Sequence, residues 1–93
     1  MNIKYVKGKK TREILLYTLT TCGWCRKTKQ YLNEKGVSYS YIDVDTLDDE
    51  ENARVMAEVR KWNPSGSFPT IVVDNSACIK GFNANEINEA IKE

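Results

Sequence analysis

The apolar pattern of this 93-residue chain predicts one small α/β domain, a mixed β-sheet with helices on both faces. Three observations carry that expectation. Ile14 to Leu19 is a short, almost unbroken apolar run, the pattern of a strand buried on both faces. Residues 23–35 then place Trp24, Cys25, Thr28, Tyr31 and Leu32 at the spacing of one helical face. Near the end, Thr70 to Val73 and Ala77 to Lys80 flank Asp74-Asn75-Ser76 and read as a hairpin. A strand–helix–strand unit requires parallel strands and a right-handed crossover, whereas the hairpin adds antiparallel ones.

In chain order, residues 1–12 form an N-terminal extension, with Asn2 to Val6 as a possible edge strand and Lys7-Gly8-Lys9-Lys10 as a turn; residues 13–93 form the domain proper. Thr20-Thr21 breaks the first long strand. Thr21 and Cys22 are both candidate caps for the following helix, and Gly36 suits its left-handed end. Val37 to Val44 is strand-like through Tyr39, Tyr41, Ile42 and Val44. Thr46 is expected to begin a second helix, with Asp49 as its capping-box partner and Val55, Met56, Val59 and Trp62 as its buried stripe. Glu50 and Arg54 form a favourable pair four residues apart. Asn63-Pro64-Ser65-Gly66-Ser67 is a loop by composition. The last helix runs from Ala84 to Lys92, capped by Asn83 with Glu86 as its third residue. There Phe82 is expected to staple onto Ile87, and Ile87, Ala90 and Ile91 to face the core.

Charge narrows the functional classes. Fourteen basic and 13 acidic residues leave a net charge of +1, which gives no reason to expect nucleic acid or an anionic membrane as partner. No apolar stretch approaches the length of a membrane span, and Met1 to Arg12 lacks the apolar core of a signal peptide. A cytoplasmic monomer is the expectation. Three cysteines are too few, and odd in number, for a secreted disulfide framework.

The chemistry concentrates at Cys22-Gly23-Trp24-Cys25. Disulfide exchange needs a thiolate, and a free cysteine with a pKa of roughly 8.5 supplies little of it at neutral pH. A thiol at the first turn of a helix faces unpaired backbone N–H groups and the positive end of the macrodipole. Arg26 and Lys27 add positive charge nearby. Cys22 is therefore expected to have a depressed pKa and to act as nucleophile. Cys25, on the same helical face one turn deeper, is expected to resolve the mixed disulfide that Cys22 forms. Gly23 and Trp24 shape the turn between them, Trp24 as part of a docking surface. Zinc also uses Cys-x-x-Cys, but it wants four ligands, and this chain has no His and one other cysteine, Cys78. No metal site is expected.

Pro69 enters a strand in Phe68-Pro69-Thr70, where it has no N–H for the ladder. An ordinary trans turn and a cis bond beside the dithiol both fit. Cys78 reads as a small buried or half-buried residue. Asp43 and Asp45 read as a strand end and a helix start rather than an acid–base pair, and Ile14 to Leu19 contains no acid to accept a proton from Cys25.

Over residues 13–92 the chain resembles the glutaredoxins, within the thioredoxin-fold superfamily. The likeness rests on Tyr17-Thr18-Leu19-Thr20-Thr21-Cys22-Gly23-Trp24-Cys25, Ile42-Asp43-Val44-Asp45, Ser67-Phe68-Pro69-Thr70-Ile71-Val72-Val73 and Gly81-Phe82. It implies a four-stranded mixed sheet flanked by three helices, with Pro69 in cis facing the dithiol, Cys22 attacking and Cys25 resolving. It also implies substrate contacts at Thr21, Trp24, Phe68, Pro69, Gly81 and Phe82. Glutathione-using members carry a basic residue where this chain has Leu19 and an aspartate after the glycine that closes the last strand, where this chain has Gly81-Phe82-Asn83-Ala84. The Gly81-Phe82 ending is similar to redoxins recharged by a protein reductase of the thioredoxin-reductase or ferredoxin-dependent type. The resemblance thus implies a thiol–disulfide oxidoreductase acting on protein or small-molecule disulfides. Its one redox group is the Cys22–Cys25 pair, and no further cofactor is expected. Glutathione-dependent reduction is the alternative. A [2Fe–2S] carrier, which Gly23 permits, is the rival of another class.

Overall fold

The computed structural model describes residues 3–92 and contains five strands and three helices. They are β1 (Lys4–Val6), β2 (Ile14–Thr18), α1 (Gly23–Lys35), β3 (Tyr39–Asp43), α2 (Asp49–Trp62), β4 (Thr70–Val73), β5 (Ala77–Lys80) and α3 (Ala84–Ile91). The sheet order is β1-β3-β2-β4-β5. β2 and β3 are parallel, as their crossover through α1 demands, and every other pairing is antiparallel. The N-terminal strand is therefore real, and it makes the sheet five-stranded. It pairs Lys4 with Tyr41 and Val6 with Tyr39; Asn2, the first residue of the expected strand, lies outside the described residues.

Alternation along the strands builds two cores. Ile14, Leu16, Ile71, Val73 and Ile79 point to one face, where Leu32 of α1 and Ile87 and Ile91 of α3 cover them. Tyr17, Ile42 and Val72 point to the other, where Val55 and Val59 of α2 close over them. β2 is buried along almost its whole length, which is why it reads as an apolar run rather than an alternation.

Some expectations shift. Val37 and Val44 lie outside β3: Val37 forms an isolated parallel bridge with Lys9, and Val44 opens a 3-10 turn over Val44–Thr46. Thr46 does not cap α2. Its hydroxyl donates back to the Asp43 carbonyl at 2.7 Å, and Asp48 instead accepts from the Glu51 N–H at 2.8 Å. Asp48 and Glu51 repeat the spacing of Thr46 and Asp49, and the oxygen not already engaged wins. Asn83 caps α3, accepting from the Glu86 N–H at 3.0 Å. Phe82 packs on the core that contains Ile87, but its ring faces Trp24 and Tyr31 of α1. The hairpin turn places both Asp74 and Asn75 at positive φ, 53° and 52°, the geometry of a type I′ turn.

Candidate functional site

Cys22 is the N-cap of α1, with extended φ and ψ of −87° and 115°. The choice between Thr21 and Cys22 is settled by a sulfur. The Cys25 N–H donates to Cys22 Sγ at 3.1 Å, the role a serine or aspartate oxygen plays at other helix starts. Cys22 is half-buried, Cys25 has 0% exposure, and both are free thiols. Burial pushes the Cys25 thiol from 9.0 up to about 12, and its hydrogen bond to Cys22 acts in the same direction. A backbone hydrogen bond at Leu19 and the charge of Lys29 oppose the shift. Two neighbouring thiols thus differ sharply in access, and the deeper one keeps its proton.

The loop that carries Cys22 is anchored at both ends. The Cys22 N–H donates to the Leu19 carbonyl at 3.2 Å. Thr20 is tethered to Asp45, in the 3-10 turn that follows β3: its N–H donates to Oδ1 at 3.0 Å and its hydroxyl donates to Oδ2. These Thr20 bonds hold the Asp45 carboxyl below its usual range. Beneath the loop, Thr18 donates its hydroxyl to Asp43 Oδ1 at 2.7 Å, and Lys29 Nζ pairs with the same oxygen at 3.2 Å. Lys29 also lies 3.9 Å above the Tyr41 ring centroid. Asp43 and Asp45 are accordingly structural, one neutralising a half-buried lysine and the other fixing a loop. Sequence reasoning found neither tether, since each joins residues far apart in the chain, and the bare alternation Asp43-Val44-Asp45 was the one visible signal.

The second wall of the site comes from the loop before β4. The Phe68–Pro69 peptide is cis, and Pro69 is buried. Tyr17 pairs with Thr70, so Pro69 continues β4 at the end of β2 from which the cysteine loop departs. The Pro69 carbonyl accepts from the Gly81 N–H at 2.8 Å, which brings Gly81-Phe82 to the same end of the sheet. Asn63, 1% exposed, builds this corner. Its Nδ2 donates to Thr70 Oγ1 at 3.1 Å and Ser67 Oγ at 3.0 Å, while its Oδ1 accepts from Ser65 at 2.8 Å. Composition marks residues 63–67 only as a loop, and the buried amide that orders it was missed.

Of the remaining candidates, Trp24 is 60% exposed and stands off the buried face of α1, stacked on Phe82 with centroids 6.0 Å apart. Thr21 is exposed and Phe68 half-buried. Leu19 packs half-buried against the α2-side core and presents no charge. Cys78 stands apart on β5, half-buried, its thiol pushed up by burial. Among the described residues, no three His, Cys, Asp or Glu side chains converge as a metal cage, and no helix is long and apolar enough to cross a membrane.

The glutaredoxin family model matches residues 14–78. A glutaredoxin-like 8.6 kDa protein in the rubredoxin operon of Clostridium pasteurianum is 34% identical over 80 residues, covering 86% of this chain and 99% of its own. The crystal structure of Methanosarcina acetivorans methanoredoxin is similar at a TM-score of 0.88 and 40% identity, over 92% of this chain and 90% of that one. The glutaredoxin from Methanosarcina mazei Go1 is similar at a TM-score of 0.90 and 38% identity, over 98% and 88%.

Proposed function

This chain belongs to the glutaredoxin family of redox proteins, and from that premise we propose that it is a dithiol oxidoreductase that reduces disulfides of proteins or small molecules. The observation that carries the reading is the asymmetry of the pair: an accessible Cys22 sulfur at the helix start, and a buried Cys25 whose N–H is aimed at that sulfur.

The Cys22 thiolate attacks one sulfur of the client disulfide. The client S–S bond breaks, and the departing sulfur leaves as a thiolate that takes up a proton. Cys25 then gives up its proton and attacks Cys22 Sγ. The Cys22–client bond breaks, and the second client sulfur leaves and is protonated. Two electrons have passed to the client, which ends as two thiols, while Cys22 and Cys25 end as a disulfide. Burial keeps Cys25 protonated in the resting protein. Once Cys22 is in a mixed disulfide it carries no thiolate charge, so one of the smaller contributions that hold the Cys25 proton is gone, while burial, the largest, remains. Arg26, whose guanidinium donates to the Thr20 carbonyl at 3.3 Å, keeps positive charge beside the loop throughout.

Recharging is by a protein dithiol reductase. What supports this is the departure from the glutathione-using pattern: Leu19 offers no charge, and the Gly81-Phe82-Asn83-Ala84 stretch carries no aspartate, the Asn83 side-chain Oδ1 accepting from the Glu86 N–H to cap α3. No cofactor beyond the thiol pair is invoked. A [2Fe–2S] cluster would find one accessible sulfur here, Cys22, and would need its remaining ligands from elsewhere, so no step is routed through it. The test is re-reduction of the oxidised protein with glutathione and its reductase, against a thioredoxin-reductase or ferredoxin-dependent enzyme. Turnover is expected with the protein reductase. Rapid turnover with glutathione overturns this choice of donor, and an inability of the Cys22–Cys25 pair to cycle with either donor overturns the function.

A further inference from the structure

The surface beside Cys22 has features that the exchange step itself does not use. Trp24 stacks on Phe82 at 16° between planes, and Tyr31 meets Phe82 edge-on at 5.8 Å, so three rings form an apolar shelf that runs from the exposed Trp24 to the half-buried Phe82 and Tyr31. Lys27 Nζ lies over this shelf, 5.5 Å from the Trp24 centroid and 5.7 Å from that of Phe82. Among the described residues neither Lys27 nor Arg26 has a carboxylate partner, whereas Lys29 is neutralised by Asp43.

The sign of the charge is local rather than general. No Asp or Glu occurs between Ile14 and Asn33 or between Asn63 and Val73, and Ser76 to Asn83 contributes only Lys80. The whole chain is nevertheless almost neutral at +1, because its acids gather elsewhere, notably at Asp48-Asp49-Glu50-Glu51 on α2. On the adjoining loop Asp45 has both oxygens engaged by Thr20. The exposed Trp24 ring backed by half-buried Phe82 and Tyr31, with two cations that lack a carboxylate partner among the described residues, next to a reactive sulfur, is complementary to an apolar side chain flanked by carboxylates.

Resting on the redox reading of Cys22, we propose that this face docks an acidic segment of a protein client, with an apolar residue beside the client disulfide on the Trp24–Phe82 shelf and its carboxylates against Lys27 and Arg26. Glutathione offers carboxylates but no apolar side chain, and it would leave the shelf unused. The surface therefore selects among protein disulfides by what surrounds the sulfurs.

The experiment compares kcat/KM for disulfide peptides that share one cysteine pair and one neighbouring Leu and differ only in flanking Glu-Glu, Gln-Gln or Lys-Lys. A further Glu-Glu peptide carries Gly in place of Leu. The readout is the ratio between peptides within each protein, so that changes in Cys22 reactivity cancel. Wild type is expected to prefer the acidic peptide over the basic one by at least about tenfold at ~0.01 M salt and to lose the preference at ~1 M, where the screening length falls to about 3 Å. The ratio should fall towards one in the double variant Lys27→Gln, Arg26→Gln. Trp24→Ala should abolish the preference for Leu over Gly while the charge preference stays. Ratios near one in wild type at low salt overturn the proposal and leave the redox function standing. Glutathione disulfide turned over as well as the acidic Leu peptide also overturns it. If no peptide is reduced, nor the neutral bis(2-hydroxyethyl) disulfide, the redox reading fails and the docking proposal with it.

Discussion

Replacing two cysteines, as Cys22→Ser and Cys78→Ala, leaves Cys25 as the chain's sole thiol and puts its protection to a direct test. With a pKa of about 12 in the intact pair, Cys25 is ionised to about one part in 10⁵ at pH 7. A cysteine at the reference value of 9.0 is ionised to about 1%, so its surroundings lower the thiolate content of Cys25 about 1,000-fold. Serine at position 22 keeps a hydrogen-bonding group at the cap and removes the charge that Cys22 contributes, while burial, the largest cause, is unchanged. The folded double variant should therefore alkylate with iodoacetamide at least about 100-fold more slowly than the same protein in urea, since the thiolate is the reactive species. Its rate should climb with pH, without a plateau, past the point where the unfolded chain levels off. Mass spectrometry of quenched aliquots reads both rates. A folded rate within tenfold of the urea control would refute the burial argument and the asymmetry on which the mechanism rests.

The same shift makes a claim about stability. A thiol whose folded pKa is raised from 9.0 to about 12 contributes fully below pH 9, and the contribution is lost as pH rises towards 12, because the unfolded chain ionises first. Tyr17 and Tyr39, also raised by burial, act in the same sense. Oxidation removes the Cys25 thiol, so alkaline denaturation should fall more steeply for the reduced protein than for the oxidised one; parallel curves would contradict it. Gly8→Ala places a methyl 2.7 Å from the Val37 carbonyl carbon and 2.8 Å from the Gly36 oxygen, both backbone atoms. A loss of about 2–3 kcal/mol in urea melts is expected, from overpacking and disturbance of the Lys9–Gly36 and Ser38–Lys9 hydrogen bonds. Asn63→Ala strips four side-chain hydrogen bonds from the corner before Pro69. It should cost about 2–4 kcal/mol and slow client reduction even where the protein stays folded, as a ratio of folded fraction to turnover would reveal.

What the sequence revealed follows the range of the interaction. The α3 stripe, the α1 stripe apart from Trp24, which stands exposed, the Gly36 terminus and the type of each long element depend on neighbours within a few residues, and they were legible. So was the strand–turn–helix context that brings Cys22 to a helix start. Caps were legible in kind but not always in place, because Thr46 and Asp48 offer the same chemistry two residues apart, and the Thr46 bond back to Asp43 decides between them. The Thr20–Asp45 and Thr18–Asp43–Lys29 tethers were invisible, since each needs β2 and β3 side by side before its partners meet. Gly8 was read as one residue of a turn, and only the approach of Gly36 and Val37 from another part of the chain shows why it has no side chain.

The N-terminal strand, placed outside β3, has a consequence for how this sheet meets other molecules. Without it, the outward-pointing peptide groups of Tyr39–Asp43 would stand unpaired along a five-residue edge, a template for intermolecular β-pairing. β1 occupies that row and replaces it with a frontier only three residues long, with Lys4 within it and Lys7 just past its end. Lys9 then extends the seal at Val37. A version begun at Ile14, where the family model's match starts, would therefore shed a guard against aggregation while keeping both residues of the dithiol.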